Sequence, residues 1–249
     1  MEEKDYNLPD VMQLATDAGH IMLENGAEIF RVEETMERIT RHYGVESGRF
    51  FVLSNGIITS GGTSYSNVEF IPFKGAQLEK VVEVNRLSRE IESGECRLQE
   101  ARTRLSGIRA MKPKPFMEQV MASGVGSGAF CAIFGGSPLD CLASLTVGLL
   151  LYAFVLAVCK SGFSKIVTNI LGSTIATALC IAFYRMGFGQ NPGNMIIGSI
   201  IPLIPGVPFT NGIRDLANED YIAGSTRLID ALIVFFCIAA GVALTFLVD

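Results

Sequence analysis

The rhythm of hydrophobic and polar positions changes near residue 115. Before it, apolar side chains recur every three or four residues among charges; after it, they run together over stretches long enough to cross a bilayer. Within residues 8–24, Leu8, Val11, Met12, Ala15 and Ile21 fall at near-helical spacing, and Asn25-Gly26 then supplies a turn signal. Ile29, Val32, Met36, Ile39 and Tyr43 line one face of a second helix that Gly44 closes, and Arg31, Glu33, Glu34, Glu37, Arg38 and Arg41 occupy most of the rest. Residues 50–60 and 65–73 are rich in aromatic and β-branched side chains around Gly61-Gly62-Thr63-Ser64, which predicts two antiparallel strands. A helical pattern returns over 76–108, with a break near Ser93-Gly94. Residues 1–115 therefore read as a small α+β domain.

Five apolar segments follow, at 116–134, 139–159, 166–184, 195–209 and 228–248. About twenty residues rising ~1.5 Å each cross the hydrocarbon core. The fold class expected is an α-helical integral membrane protein with five transmembrane helices in 116–249, preceded by the cytoplasmic α+β domain of 1–115. The fourth segment is short and interrupted. Its continuation, residues 198–215, reads GSIIPLIPGVPFTNGIRD, with Pro202, Pro205 and Pro208 three apart and Gly206 beside the second. Proline lacks a backbone donor and clashes with the preceding turn, so no single helix can hold all three in its interior. Irregular backbone inside a bilayer persists only where protein or a water-filled cavity satisfies its polar groups, which makes the break a candidate substrate pathway. Thr210, Asn211, Arg214 and Asp215 follow at once. The alternative is a span that ends early at an exposed proline-rich loop.

Charge sharpens this division. Residues 1–115 hold 15 of the 20 Lys and Arg and 18 of the 25 Asp and Glu. Arg102, Arg104, Arg109, Lys112 and Lys114 precede the first span, Lys160 and Lys165 join the second to the third, and Arg214 and Arg227 join the fourth to the fifth. Only Arg185 lies on the other side. The positive-inside bias places the amino terminus in the cytoplasm and the carboxyl terminus outside the inner membrane. No secretory leader is expected. The slight net charge of -5, spread over both signs, argues against a nucleic-acid partner. The six cysteines are scattered through mostly apolar segments and the two histidines belong to no ligand cluster, so neither metal nor cofactor is expected.

Several groups could carry chemistry. Glu28, Arg31, Glu33 and Glu34 are either a functional charge cluster or solvated pairs along a helix. Asp140 and Asp230 lie near the ends of apolar segments, where a carboxylate is costly and is either a proton-relay group or within reach of water. Asn169, with Thr168, Ser173, Thr174 and Thr177, forms a polar stripe that lines a path or bonds neighbouring helices. Gly124, Gly126 and Gly128 suit close helix contact, since no strand precedes them as a phosphate loop requires. Ser60, Ser64 and Ser66 have no identifiable base, so no catalytic residue is assigned.

Residues 25–39, NGAEIFRVEETMERI, with Tyr43-Gly44, resemble the opening signature of the threonine/serine exporter family. Residues 204–215, IPGVPFTNGIRD, with Gly224 and Arg227, resemble that family's proline-rich membrane motif. The resemblance implies proton-motive-force-coupled export of small polar metabolites such as threonine and serine. Full-length members have about ten spans, so a five-span chain looks like the larger subunit of the split form, one pair of which is linked to succinate export. It implies a small all-membrane partner subunit and a small-molecule substrate, and leaves a homo-oligomer open. Matched by position, Glu28, Arg31, Glu33 and Glu34 belong to the first motif and Pro205, Gly206, Asn211, Arg214 and Asp215 to the second. The expected pathway comprises Pro202, Pro205, Gly206, Asn211, Arg214, Asp215, Asp140, Asp230 and Asn169. Two other readings stay open: a regulatory or scaffolding subunit for a partner transporter, and a membrane-anchored hydrolase.

Overall fold

The computed structural model describes residues 7–73, 75–159 and 162–248. Two compact units divide the chain. One takes residues up to Pro113 together with Val207–Ile229; the other takes Lys114–Gly206 and the residues from Asp230 onward.

The first unit is built on α1 (Leu8–Glu24), whose Val11, Met12, Leu14, Ala15, Ala18, Ile21 and Met22 are at most 1% exposed. Helix α1 packs against α2 (Ile29–His42), α3 (Leu78–Glu92), α4 (Leu98–Arg109) and the sheet. It ends where Gly26 takes a φ of 88°, a left-handed conformation that glycine adopts without a Cβ penalty. The amphipathic pattern of α2 turns Val32, Met36 and Ile39 inward. A similar turn at Gly94, φ 80°, separates α3 from α4 near the expected break.

The sheet corrects the two-strand expectation. It has three antiparallel strands in sequence order, β1 (Gly48–Leu53), β2 (Gly56–Gly61) and β3 (Tyr65–Phe70). Residues 50–60 are not one strand, because Leu53 pairs with Gly56 across a two-residue turn at Ser54-Asn55. A Cβ on Gly56 would approach the Glu69 carbonyl oxygen to 3.0 Å, so the residue after Asn55 has to be small. One face buries Val52, Ile57 and Thr59. On the other, Phe51, Ile58 and Val68 lie side by side in register and exposed. Helix α9 (Gly206–Ala217) and the start of α10 (Tyr221–Val248) complete this unit, and Ala223 joins its core.

The second unit contains α5 (Phe116–Ile133), α6 (Pro138–Cys159), α7 (Lys165–Arg185), α8 (Pro192–Ile200) and the remainder of α10. Its helices approach closely at glycines. A Cβ on Gly198 would lie 2.6 Å from Ser144 Oγ and 2.7 Å from the Ser127 carbonyl oxygen, and one on Gly128 would lie 3.1 Å from the Cys141 carbonyl oxygen. With no hydrophobic force between helices in lipid, such contacts hold them together by packing and hydrogen bonds. The polar stripe of α7 bonds mainly to its own helix. Thr168, Asn169, Ser173, Thr174 and Thr177 donate to carbonyls one turn back, and Thr174 also donates to Gly241 of α10.

Among the described residues, α6, α7 and α10 are long and apolar enough to cross a membrane. The interrupted pair Pro192–Leu203 and Gly206–Ala217 makes a fourth if counted as one span. Helix α5 is not among them, since its 18 residues include Glu118, Gln119, two serines and three glycines. The helix is interrupted where the prolines require. Pro202 lies in a 3-10 turn at Ile201–Leu203, and Ile204 is extended at φ -66°, ψ 126° before Pro205. Pro208 falls in the first turn of α9, where a helix has no use for the missing N–H.

Candidate functional site

Two segments almost two hundred residues apart in the chain meet within the first unit. The short loop between α1 and α2 presents the Gly26 and Ala27 carbonyls, and Glu28 is the extended N-cap residue of α2 at φ -68°, ψ 142°. Helix α9 and the first turns of α10 bring Asn211, Arg214, Asp215 and Arg227 onto this loop. Asn211 Nδ2 donates to the Gly26 carbonyl at 2.8 Å, and Arg227 Nη2 donates to that of Ala27 at 2.9 Å. Asp215, 1% exposed, accepts from Arg227 Nη1 at 2.7 Å and from the Ile29 N–H at 3.3 Å. That N–H opens α2 and lacks a partner within the helix, so the Asp215 carboxylate satisfies it where the helix dipole favours negative charge.

Glu28 lies between two guanidinium groups. Arg31 Nε donates to its Oε2 and Arg214 Nη1 to its Oε1. The Glu28 side chain is 7% exposed, whereas those of Arg31 and Arg214 are 49% and 55% exposed. The carboxylate is covered and its two cations open to solvent. Burial acts to raise the Glu28 carboxyl, and the hydrogen bonds from Arg214 and Arg31 overcome it, holding it below the ordinary value of 4.5.

The other first-motif residues have different surroundings. Glu34 pairs with Arg38 one turn on, at 2.6 Å, an intrahelical pair in which Glu34 is exposed and the Arg38 side chain mostly buried. Glu33 turns to the sheet, where Oε1 accepts the Val52 N–H at 3.1 Å from edge strand β1. Burial raises the Glu33 carboxyl, with the Val52 hydrogen bond opposing and nearby Asp220 and Glu37 adding repulsion.

The remaining pathway candidates belong to the second unit. Pro202 and Pro205 shape the interruption and Gly206 begins α9. Asn169 donates to the Lys165 carbonyl within α7. Asp140 caps α6 and fastens the segment before α8. Its Oδ2 accepts from the Ser137 N–H and its Oδ1 from those of Gln190 and Asn191, while Ser137 Oγ accepts from the Asp140 N–H. This reciprocal pattern is a capping box. Asp230 makes an open pair with Lys165 at 3.2 Å, each side chain more than half exposed.

Sequence reasoning left Arg227 out of the candidate site. Its only signal was the second-motif resemblance, because an arginine at the mouth of an apolar segment reads first as a topological charge. No group of three His, Cys, Asp or Glu side chains suited to a metal occurs among the described residues.

A family model described as "Putative threonine/serine exporter" matches residues 13–248. The threonine/serine exporter of Corynebacterium glutamicum is 24% identical over 94% of this chain and 50% of its own length. A protein named probable succinate transporter subunit YjjP, from Klebsiella aerogenes, is 23% identical over 94% of this chain and 93% of its own. The protein of that name from Escherichia coli K12 is 22% identical over 94% of each chain. The chain thus spans half of the first relative and nearly all of the other two. These relatives are named as transporters and not as enzymes. No solved structure matches. The apolar helices and the match over almost the whole chain make this a multi-pass membrane protein that belongs to the threonine/serine exporter family.

Proposed function

We propose that the chain is one subunit of a secondary exporter of small carboxylate-bearing metabolites, coupled to the proton motive force. Five crossings make up its membrane part, at the apolar segments 116–134, 139–159, 166–184, 195–209 and 228–248. The amino-terminal α+β part is cytoplasmic, the carboxyl terminus lies outside the inner membrane, and a small all-membrane partner supplies the remaining spans. That the chain aligns with half of one exporter and with nearly all of two proteins named as subunits supports this division.

The observation that carries the reading is the joining of the two family motifs in one charged cluster, with the half-exposed Arg214 on the helix that follows the proline break. A guanidinium is a planar fork matched to a carboxylate, the group shared by threonine, serine and succinate. Asn211 and the Asp215–Arg227 pair hold α9 in place and so orient Arg214. Asp140 and Asp230 are secondary candidates for proton handling. The test is reconstitution of this chain alone, the partner alone and both together, with threonine and succinate as cargo. Export in the joint sample that falls at least tenfold with Arg214→Ala is expected. Transport by the partner alone, unchanged by adding this chain, would make the chain a scaffold.

A further inference from the structure

We propose that Glu28 is a built-in competitor of the substrate, occupying Arg214 until a substrate carboxylate replaces it and remaining meanwhile on Arg31. The proposal rests on the reading of Arg214 as a carboxylate site. It adds what fills that site at rest and what makes the exchange possible.

Three features support it. First, Glu28 holds Arg214 through one oxygen only, because its other oxygen belongs to Arg31. Second, the guanidiniums are half exposed while the carboxylate is covered, so an arriving anion reaches the arginines before it meets Glu28. Nε and Nη2 of Arg214 make no hydrogen bond among the described residues and can receive the first contact. Third, the site at rest holds two guanidiniums against one carboxylate, so a second carboxylate arriving on Arg214 balances the charge and does not exceed it. Glu28 can leave at low cost because Arg31 continues to neutralise it. Around this exchange, Asp215 keeps Arg227 and the Ile29 N–H, and Asn211 keeps the Gly26 carbonyl, so the loop and α9 remain joined.

A ligand that must displace an internal group binds more weakly by the fraction of time its site is free. Removing the competitor should therefore tighten binding, and strengthening its hold on Arg214 should weaken it. Glu28→Gln does the first. Arg31→Ala does the second, since Glu28 is then left with Arg214 alone, although the Arg31 side chain need not touch the ligand. Opposite signs from two residues bonded to each other are not what loss of local structure would give.

The experiment is calorimetric titration of the full chain, purified with its partner subunit, with succinate and separately with L-threonine. A cooperative unfolding transition that begins above the assay temperature identifies folded samples, and Glu28→Ala replaces Glu28→Gln if the latter does not fold. Binding tighter by on the order of tenfold in the Glu28 variant and weaker in Arg31→Ala is expected. The ligand that binds identifies the source of the carboxylate. Binding by the parent with equal or weaker affinity in the Glu28 variant would overturn the competition and leave the Arg214 site standing. No binding of either ligand would overturn both.

Discussion

Arg214 and Glu28, 186 positions apart in the chain, are joined by a charge-assisted hydrogen bond in which the acid is buried and the base half exposed. The asymmetry separates this pair from an ordinary surface salt bridge, where both partners are solvated and the net gain is small.

The Asp215–Arg227 pair should be the stability element of the cluster. Arg227→Ala leaves an uncompensated carboxylate at 1% exposure, a change that costs about 3 kcal/mol or more when a buried pair loses one partner. Arg227→Lys should recover only part of the loss, because one ammonium cannot reproduce a fork that reaches Asp215 and the Ala27 carbonyl together. Thermal unfolding of the purified chain in detergent measures both.

Acid should act in opposite directions on the two first-motif carboxylates. Glu28 is held below 4.5 in the folded protein, so its contribution is present above that value and is lost as pH falls through its folded pKa. The stability cost of Glu28→Gln should therefore be largest near neutral pH and shrink in acid. Glu33 is raised, so its contribution is present below 4.5 and is lost as pH rises through its folded pKa. Glu33→Gln should flatten that decline while keeping an acceptor for the Val52 N–H. Unfolding midpoints across pH 3 to 7, taken as about the range in which carboxylates titrate, read both signs.

Helix contact in the second unit should discriminate between glycines of the same type. Gly198→Ala places a methyl against the Ser127 carbonyl, a backbone atom that cannot swing away, and should destabilise by about 1–3 kcal/mol. Gly126→Ala meets nothing within 4 Å and should be neutral or slightly stabilising through helix propensity. Comparing the unfolding temperatures of the two variants tests this.

Asp140 should behave as a structural fastener. Asp140→Ala removes the acceptor for three backbone N–H groups and should lower stability by about 1–3 kcal/mol, whereas Asp230→Ala, in a largely exposed pair, should cost under ~1 kcal/mol. Unfolding of the two variants side by side provides the comparison.

Much of the fold can be read from the chain because periodicity is local. The stripes of α1 and α2, the stop at Asn25-Gly26 and the interruption around Pro205 each depend on neighbours within a few positions. The turn at Ser54-Asn55 was hidden by apolar residues on both sides, although Asn55-Gly56 carried a turn signal. The capping role of Asp140 was present as Ser-x-x-Asp at 137–140, but an acid beside an apolar run suggests a functional charge first. The site itself was legible as two lists of residues and not as one place. Spacing cannot show that Glu28 meets Arg214, because no local rule relates a helix N-cap to a side chain 186 residues later.

The most direct test of the whole reading is the initial rate of efflux of preloaded, labelled threonine or succinate from cells making this chain and its partner, with Arg214 intact or replaced by Ala. The variant must be shown to be folded and inserted to the parent's level. Efflux above that of cells lacking the chain, lost with Arg214→Ala, is the expected result. Efflux of the same rate with and without the Arg214 guanidinium would contradict the account.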